Sequence, residues 1–202
     1  MLIIRRFRGD CTNGWSLLYR ICISGGGNLS LDKSETLFLG ERFRVEAAVQ
    51  LTPNGPRRRE VVRHPGAVTI LPLLSDGQIC LIRNLRVAVD ETLIELPAGT
   101  REQDEPQLET ARRELIEETG YRAGQIEKLT DFYLSPGILD ERMHLYLATE
   151  LSAGDADREV GEEIANLVVS FDAALDMIGD GRIRDAKTIV GLLYYQRYCR
   201  NR

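Results

Sequence analysis

Residues 106–120 read PQLETARRELIEETG, the strongest helical stretch in the chain. Asp104 or Glu105 can cap its start, Pro106 suits the first turn, and Gly120 suits the stop. Leu108, Ala111 and Leu115 recur at helical spacing, which predicts an apolar stripe against a core. Glu114 and Glu118 are i, i+4 neighbours and Glu117 lies beside them, so three carboxylates crowd one patch. The patch sits at the C-terminal end, where the helix dipole already disfavours negative charge. Helix stability gains nothing from this arrangement, whereas a bound divalent cation would be well served by it. A solvated acidic face paired with Arg112 and Arg113 is the alternative, and the helix alone does not decide between the two.

Strand signals dominate on the N-terminal side of this helix. Residues 42–51 alternate in part, Pro53-Asn54-Gly55-Pro56 reads as a turn, and Arg59–Arg63 as a returning strand. Gly66–Leu74 is an apolar run, and Ser75-Asp76-Gly77-Gln78 is expected to fold it onto Ile79–Arg86 as a hairpin. Residues 91–96 form a further short strand. Downstream, strands are expected near 128–134, 143–151 and 166–169, and helices near 172–178 and 186–198. Strands come first and helices collect late. The expected class is α/β (α+β), with helices packed on a mixed or mostly antiparallel sheet.

A chain of 202 residues suits one domain with a sizeable core, and 43% hydrophobic against 28% charged residues is the balance of a soluble globular protein. A net charge of −5 gives no general attraction to nucleic acid or to an anionic membrane, so an anionic phosphate substrate would need local arginines or a metal. Cys11, Cys22, Cys80 and Cys199 form no CxxC, and only His64 and His144 accompany them, which argues against zinc and for free thiols in a reducing cytoplasm. No apolar run approaches a bilayer span, and Met1–Arg8 lacks the features of a secretory signal. Residues 1–34, with Gly25-Gly26-Gly27 and no sustained period, read either as a loosely ordered leader or as the product of a mis-chosen start codon. The chain contains no internal repeat.

The flanks of the helix sharpen its meaning. Leu96-Pro97-Ala98-Gly99 precedes it, and from Gly99 to Tyr121 the sequence reads G-x5-E-x7-R-E-L-x-E-E-x-G-Y. This resembles the Nudix box, with every fixed position present. Only Tyr121 departs, standing where the box has a bulky aliphatic residue, and an aromatic can fill the same core slot. The resemblance implies an α/β/α sandwich around a mixed sheet over 66–202, preceded by an antiparallel strand segment at 35–65. It also implies hydrolysis of a nucleoside diphosphate linked to another moiety. By resemblance, Glu114, Glu117 and Glu118 and the carbonyl of Ala98 hold Mg2+, with Mn2+ as a substitute; hard oxygen ligands suit such ions. Arg113 and Glu105 are expected to brace the loop against the helix.

Other segments resemble the ADP-ribose pyrophosphatase subgroup: Pro136 at its offset after Gly120, Glu95-Leu96-Pro97-Ala98-Gly99, the strand 81–86 ending in Arg86, residues 59–66 and residues 181–188. The resemblance implies substrate contacts from Arg59, Arg86, Glu95, Ser135, Pro136, Gly137 and Glu141; a guanidinium fork matches phosphate geometry. Phe43 is read either as an adenine-stacking residue or as core. The general base of that subgroup is a glutamate on a late loop, here Glu162, with Glu159 next and Glu117 also near the chemistry. The same resemblance implies a homodimer paired through 35–65, while the cysteines point to the cytoplasm and the net charge to neither nucleic acid nor membrane as a partner. ADP-ribose is the leading substrate. GDP-mannose or ADP-glucose is the alternative, and a non-catalytic nucleotide sensor is a third reading.

Overall fold

The computed structural model describes residues 34–102, 104–158 and 163–200. The leader read at 1–34 therefore falls, apart from Ser34, outside the described residues, as do Glu159 and Glu162.

The core is organised by strand β4 (Ala67–Pro72), buried at every position. Side chains of a strand alternate between faces, and here both faces are covered. Val68 and Ile70 pack with Tyr146, Ala148, Ala111 and Leu115 on one face. Leu71 packs with Leu145 and Leu147 on the other, against Phe171, Ala174, Met177 and Leu192. The first group includes helix α1 (Gln107–Thr119), and the second includes α2 (Phe171–Gly179) and α3 (Ala186–Tyr198). Helices thus lie on both faces of the sheet, the expected α/β/α sandwich.

Strand β4 runs antiparallel to β7 (Ala98–Thr100) and parallel to β9 (Arg142–Ser152), which pairs antiparallel with β8 (Arg122–Tyr133). This makes a mixed sheet of order β7-β4-β9-β8. A second sheet has the order β10-β5-β6, from Ile164–Ser170, Gln78–Arg86 and Glu91–Glu95. A third, outer sheet consists of β1 (Glu35–Leu39), β2 (Arg44–Thr52) and β3 (Gly55–Arg63) in antiparallel order. It exposes Leu37, Phe38, Leu39, Val49 and Leu51.

Two expectations need correction. The turn after Leu74 forms, with Leu74 N donating to Gln78 O at 2.8 Å, but the hairpin beyond it does not. Pairing of β4 with β5 ends at one bridge, Leu73 to Ile79. Both edges of β4 are taken by β7 and β9, so β5 leaves for the second sheet, and Leu71, Ile79 and Leu81 share one core cluster. The second correction concerns α1. Its N-cap is Pro106, with no side-chain cap; Glu105 is instead bound to Thr110 and Arg113. Leu108 is 36% exposed, and the inward side consists of Thr110, Ala111, Glu114, Leu115, Glu118 and Thr119. The helix is rotated so that carboxylates, rather than a third apolar residue, face the sheet. Gly120 ends it as expected, in the left-handed conformation at φ 77°.

Among the described residues, Cys80 and Cys199 are unpaired, and no helix is long and apolar enough to cross a membrane.

Candidate active site

The inward side of α1 lies against β7. Glu118 is 4% exposed, and its Oε2 accepts from Ala98 N at 2.8 Å. Glu114, 9% exposed, lies directly on Gly99: a Cβ at that position would stand 1.9 Å from the Glu114 Cδ. Gly99 is therefore required for close approach. Any side chain there would displace a carboxylate.

Arg113 joins the parts. Its Nε and Nη2 grip Glu105 at 3.1 and 3.0 Å, while Nη1 lies 2.8 Å from both Glu114 Oε1 and Glu117 Oε2. The guanidinium holds the Glu105 carboxyl below its ordinary range, with the Thr110 hydroxyl adding to the effect and partial burial opposing it. The same hydrogen bonds push the Arg113 pKa up. The C-terminal carbonyls of α1 are also met. Arg158 donates to Glu118 O through Nε and Nη2, each at 3.3 Å, and Asn166 Nδ2 donates to Thr119 O at 2.8 Å. These satisfy otherwise orphaned acceptors and bring positive charge to the negative end of the dipole.

The donor set suits a hard divalent cation: carboxylate oxygens from one helical turn, beside a backbone segment at Ala98. Among the described residues, no three of these groups already converge as a cage. What the geometry does show is a patch that gathers positive charge, with Arg113 Nη1 shared between Glu114 and Glu117.

The residues expected to touch substrate fall in three places. Arg59 stands exposed on β3 of the outer sheet, bonded to Gln50 at 2.9 Å. Phe43, also beside that sheet, is 44% exposed and tilted against Phe38, so it is not core. Ser135, Pro136, Gly137 and Glu141 lie on the β8–β9 loop. This loop docks on β3 through Val62 N to Ile138 O at 2.8 Å and Asp140 N to Val62 O at 3.1 Å. The Ser135 carbonyl closes the loop on Ile138 and Leu139, and Glu141 Oε1 lies 3.8 Å from His64 Nδ1. Between loop and strand is a hollow of about 320 Å³ lined by Val61, Arg63, Tyr133, Pro136 and Leu139 among others. A second hollow of about 330 Å³, between β8 and α3, contains none of these residues.

Arg86 and Glu95 occupy the third place. The Arg86 fork binds Glu95 through Nε at 2.8 Å and Nη2 at 2.6 Å. Glu95 is fully buried at 0% exposure, and Lys187 Nζ also bonds its Oε2. Burial pushes the Glu95 carboxyl up, but Arg86 and Lys187 outweigh it and the net direction is down.

A model of the NUDIX domain matches residues 63–190 of this chain. An ADP-ribose pyrophosphatase of Bacillus subtilis (strain 168) is 38% identical over 80% of this chain and 89% of its own length. The chain belongs to the Nudix family. A methanol dehydrogenase activator of Bacillus methanolicus is likewise 38% identical, over 81% of this chain and 90% of its own. A GDP-mannose pyrophosphatase of Salmonella paratyphi B is 37% identical over 69% and 82%. In fold, the Nudix chain is similar to a crystal structure of an ADP compounds hydrolase, with a TM-score of 0.72 at 23% identity, covering 84% of this chain and 92% of that one.

Four residues of this Nudix chain to which the sequence assigns no role of their own join the site's frame in the structure. Arg158 and Asn166 close the end of α1. Lys187 and Thr188 reach β6 and the segment after it: Thr188 Oγ1 accepts from Leu96 N at 2.8 Å. The segment 181–188 stood out in the sequence, but nothing in its local pattern says that Lys187 is buried, at 7% exposure.

Proposed function

We propose that this Nudix chain hydrolyses the pyrophosphate bond of a nucleoside diphosphate sugar with Mg2+, and that ADP-ribose, cleaved to AMP and ribose 5-phosphate, is its preferred substrate. The observation that carries this reading is the rotation of α1. It turns Glu114 and Glu118 towards Gly99 and Ala98 rather than into water. Glu114, Glu117, Glu118 and the Ala98 carbonyl would hold the ion, with Mn2+ as a substitute. Bound there, the ion neutralises phosphate charge and makes a coordinated water more acidic. Arg113 and Glu105 keep the loop and the helix in one geometry. Arg86 and Arg59 would bind phosphate or ribose oxygens, and Ser135, Pro136, Gly137 and Glu141 would border the substrate. Glu95, with both oxygens occupied, would act by orienting Arg86. Glu162, or Glu159 after it, would take the proton of the attacking water; both lie outside the described residues.

The exposed apolar residues of the outer sheet support pairing of two copies through 35–65. Residues 1–34 are proposed to be dispensable for turnover, and the protein to work in the cytoplasm. The named activities of the Bacillus and Salmonella relatives support the substrate class, and the second of them favours GDP-mannose as the alternative. The test is a panel of ADP-ribose, GDP-mannose, ADP-glucose, NADH and diadenosine polyphosphates with Mg2+, products resolved by chromatography. AMP release with clear preference for ADP-ribose is expected. Preference for another nucleotide sugar would replace the substrate but keep the chemistry, and ligand binding without turnover of any of them would favour a sensor.

A further inference from the structure

The start of α3 is tied to the site through Asp185, Lys187 and Thr188. Asp185, the N-cap, accepts from Thr188 N at 2.9 Å and Thr188 Oγ1 at 2.6 Å. Thr188 Oγ1 in turn accepts from Leu96 N. Lys187, between them, donates to Asp185 Oδ1 at 3.0 Å and to Glu95. Glu95 then carries the Arg86 fork. Two cations and two carboxylates thus form a neutral chain from α3 to β5. The backbone beyond Glu95 is held equally closely, with Pro97 O accepting from Ile70 N at 2.9 Å and Ala98 N donating to Glu118.

A buried ion pair is seldom the cheapest way to stabilise a core, because desolvation offsets much of the attraction and apolar residues often serve as well. Directionality is what it adds. Glu95 is held from two directions, by the Arg86 fork and by Lys187, while Lys187 is itself anchored on Asp185. Arg86 uses Nε and Nη2 for Glu95, which leaves Nη1 outside the fork on a side chain that is 37% exposed. We propose that Lys187 is a positioning residue for substrate binding: through Glu95 it sets the orientation of Arg86, and with Asp185 and Thr188 it ties that orientation to the Leu96–Gly99 segment. This rests on the reading of Arg86 as an oxygen-binding group of the substrate site.

The test is steady-state kinetics with ADP-ribose and Mg2+ on Arg86→Ala, Lys187→Met, Lys187→Met with Glu95→Gln, and Arg86→Ala with Lys187→Met, each with a thermal melt. Arg86→Ala is expected to raise KM about tenfold or more, the loss of a charge-assisted contact. Lys187→Met should raise KM several-fold, with a smaller change in kcat. Added to Arg86→Ala it should raise KM no further, because it acts through that residue. The charge-balanced pair with Glu95→Gln should recover stability while KM stays high, since Arg86 then lacks its carboxylate. This pair also serves if Lys187→Met alone folds poorly. Recovery of both stability and KM in that pair would overturn the proposal, leaving a purely structural network. A wild-type KM in Lys187→Met alongside a raised KM in Arg86→Ala would overturn it too. A wild-type KM in Arg86→Ala would overturn the underlying reading of Arg86 instead.

Discussion

Arg113 and Lys187 each organise carboxylates at this site, but over very different lengths of chain. Arg113 gathers Glu105, Glu114 and Glu117, all from α1 and the loop that enters it. Lys187 reaches Glu95, 92 positions away, and its neighbour Thr188 reaches Leu96. The first network is partly open to water, with Arg113 and Glu117 about a quarter exposed, so its ionic contacts are partly screened. The second is enclosed, so its geometry is dictated by packing as much as by charge. The short network presents chemical groups. The long one keeps the frame around them in register.

Substitutions in the two networks should separate these roles. Glu118→Gln, on the short side, keeps an oxygen for Ala98 N but loses the negative charge; turnover is expected to fall by about a thousandfold with the thermal midpoint nearly unchanged. Wild-type turnover in that folded protein would remove Glu118 from the metal site. Gly99→Ala drives a methyl into the Glu114 carboxylate, so loss of activity by about a hundredfold is expected, together with a lower midpoint. Turnover close to wild type would show that Glu114 can move without consequence. On the long side, Thr188→Val keeps the shape but leaves Leu96 N without its acceptor, and equilibrium unfolding should report a loss of about 1–3 kcal/mol. An unchanged unfolding curve would mean that the α3 tie does not hold this segment.

The smallest effect is expected at a third cluster, which involves neither network. His144 Nδ1 lies 2.5 Å from Asp131 Oδ1, and Lys128 and Arg142 flank the same carboxylate. Burial opposes ionisation of Asp131, but the hydrogen bonds from Lys128 and His144 prevail and hold its pKa at about 2. Burial likewise keeps the His144 ring below its usual range, against the opposing pull of Asp131. A depressed carboxyl pKa stabilises the fold above the unfolded value and loses that contribution as pH falls through the folded value. Replacing Asp131 by Asn should therefore remove about 1 kcal/mol of stability at neutral pH, with the difference from wild type vanishing between pH 4 and pH 2. A pH-independent difference would assign the effect to packing alone.

Much of the site was legible because its parts lie close together in sequence. Gly99, Glu105, Arg113, Glu114, Glu117 and Glu118 fall within one loop and one helix, and fixed spacing on a helix is fixed spacing in space. The stop at Gly120 and the start of α3 were legible for the same reason. The turn after Leu74 was read correctly and its hairpin was not. A turn signal is local, whereas which strand lies beside β4 depends on β7 and β9 competing for its edges. Leu108 misled because periodicity identifies a face without saying how far the helix is rotated about its axis. That rotation, set by Ala111 and Leu115 against Val68 and Ile70, sends Glu114 and Glu118 inward.

By itself, then, the sequence determined the family, the carboxylate-bearing helix with its stop at Gly120, and the apolar run that becomes β4. These are properties of short segments, written in spacing and in side-chain size. The tertiary structure alone decided the partition of strands among three sheets, the docking of the β8–β9 loop on β3, and the pairing of Lys187 with Glu95. Each of these joins groups far apart in the chain. Their energies depend on which surfaces remain once the local elements have formed, and no local pattern records that.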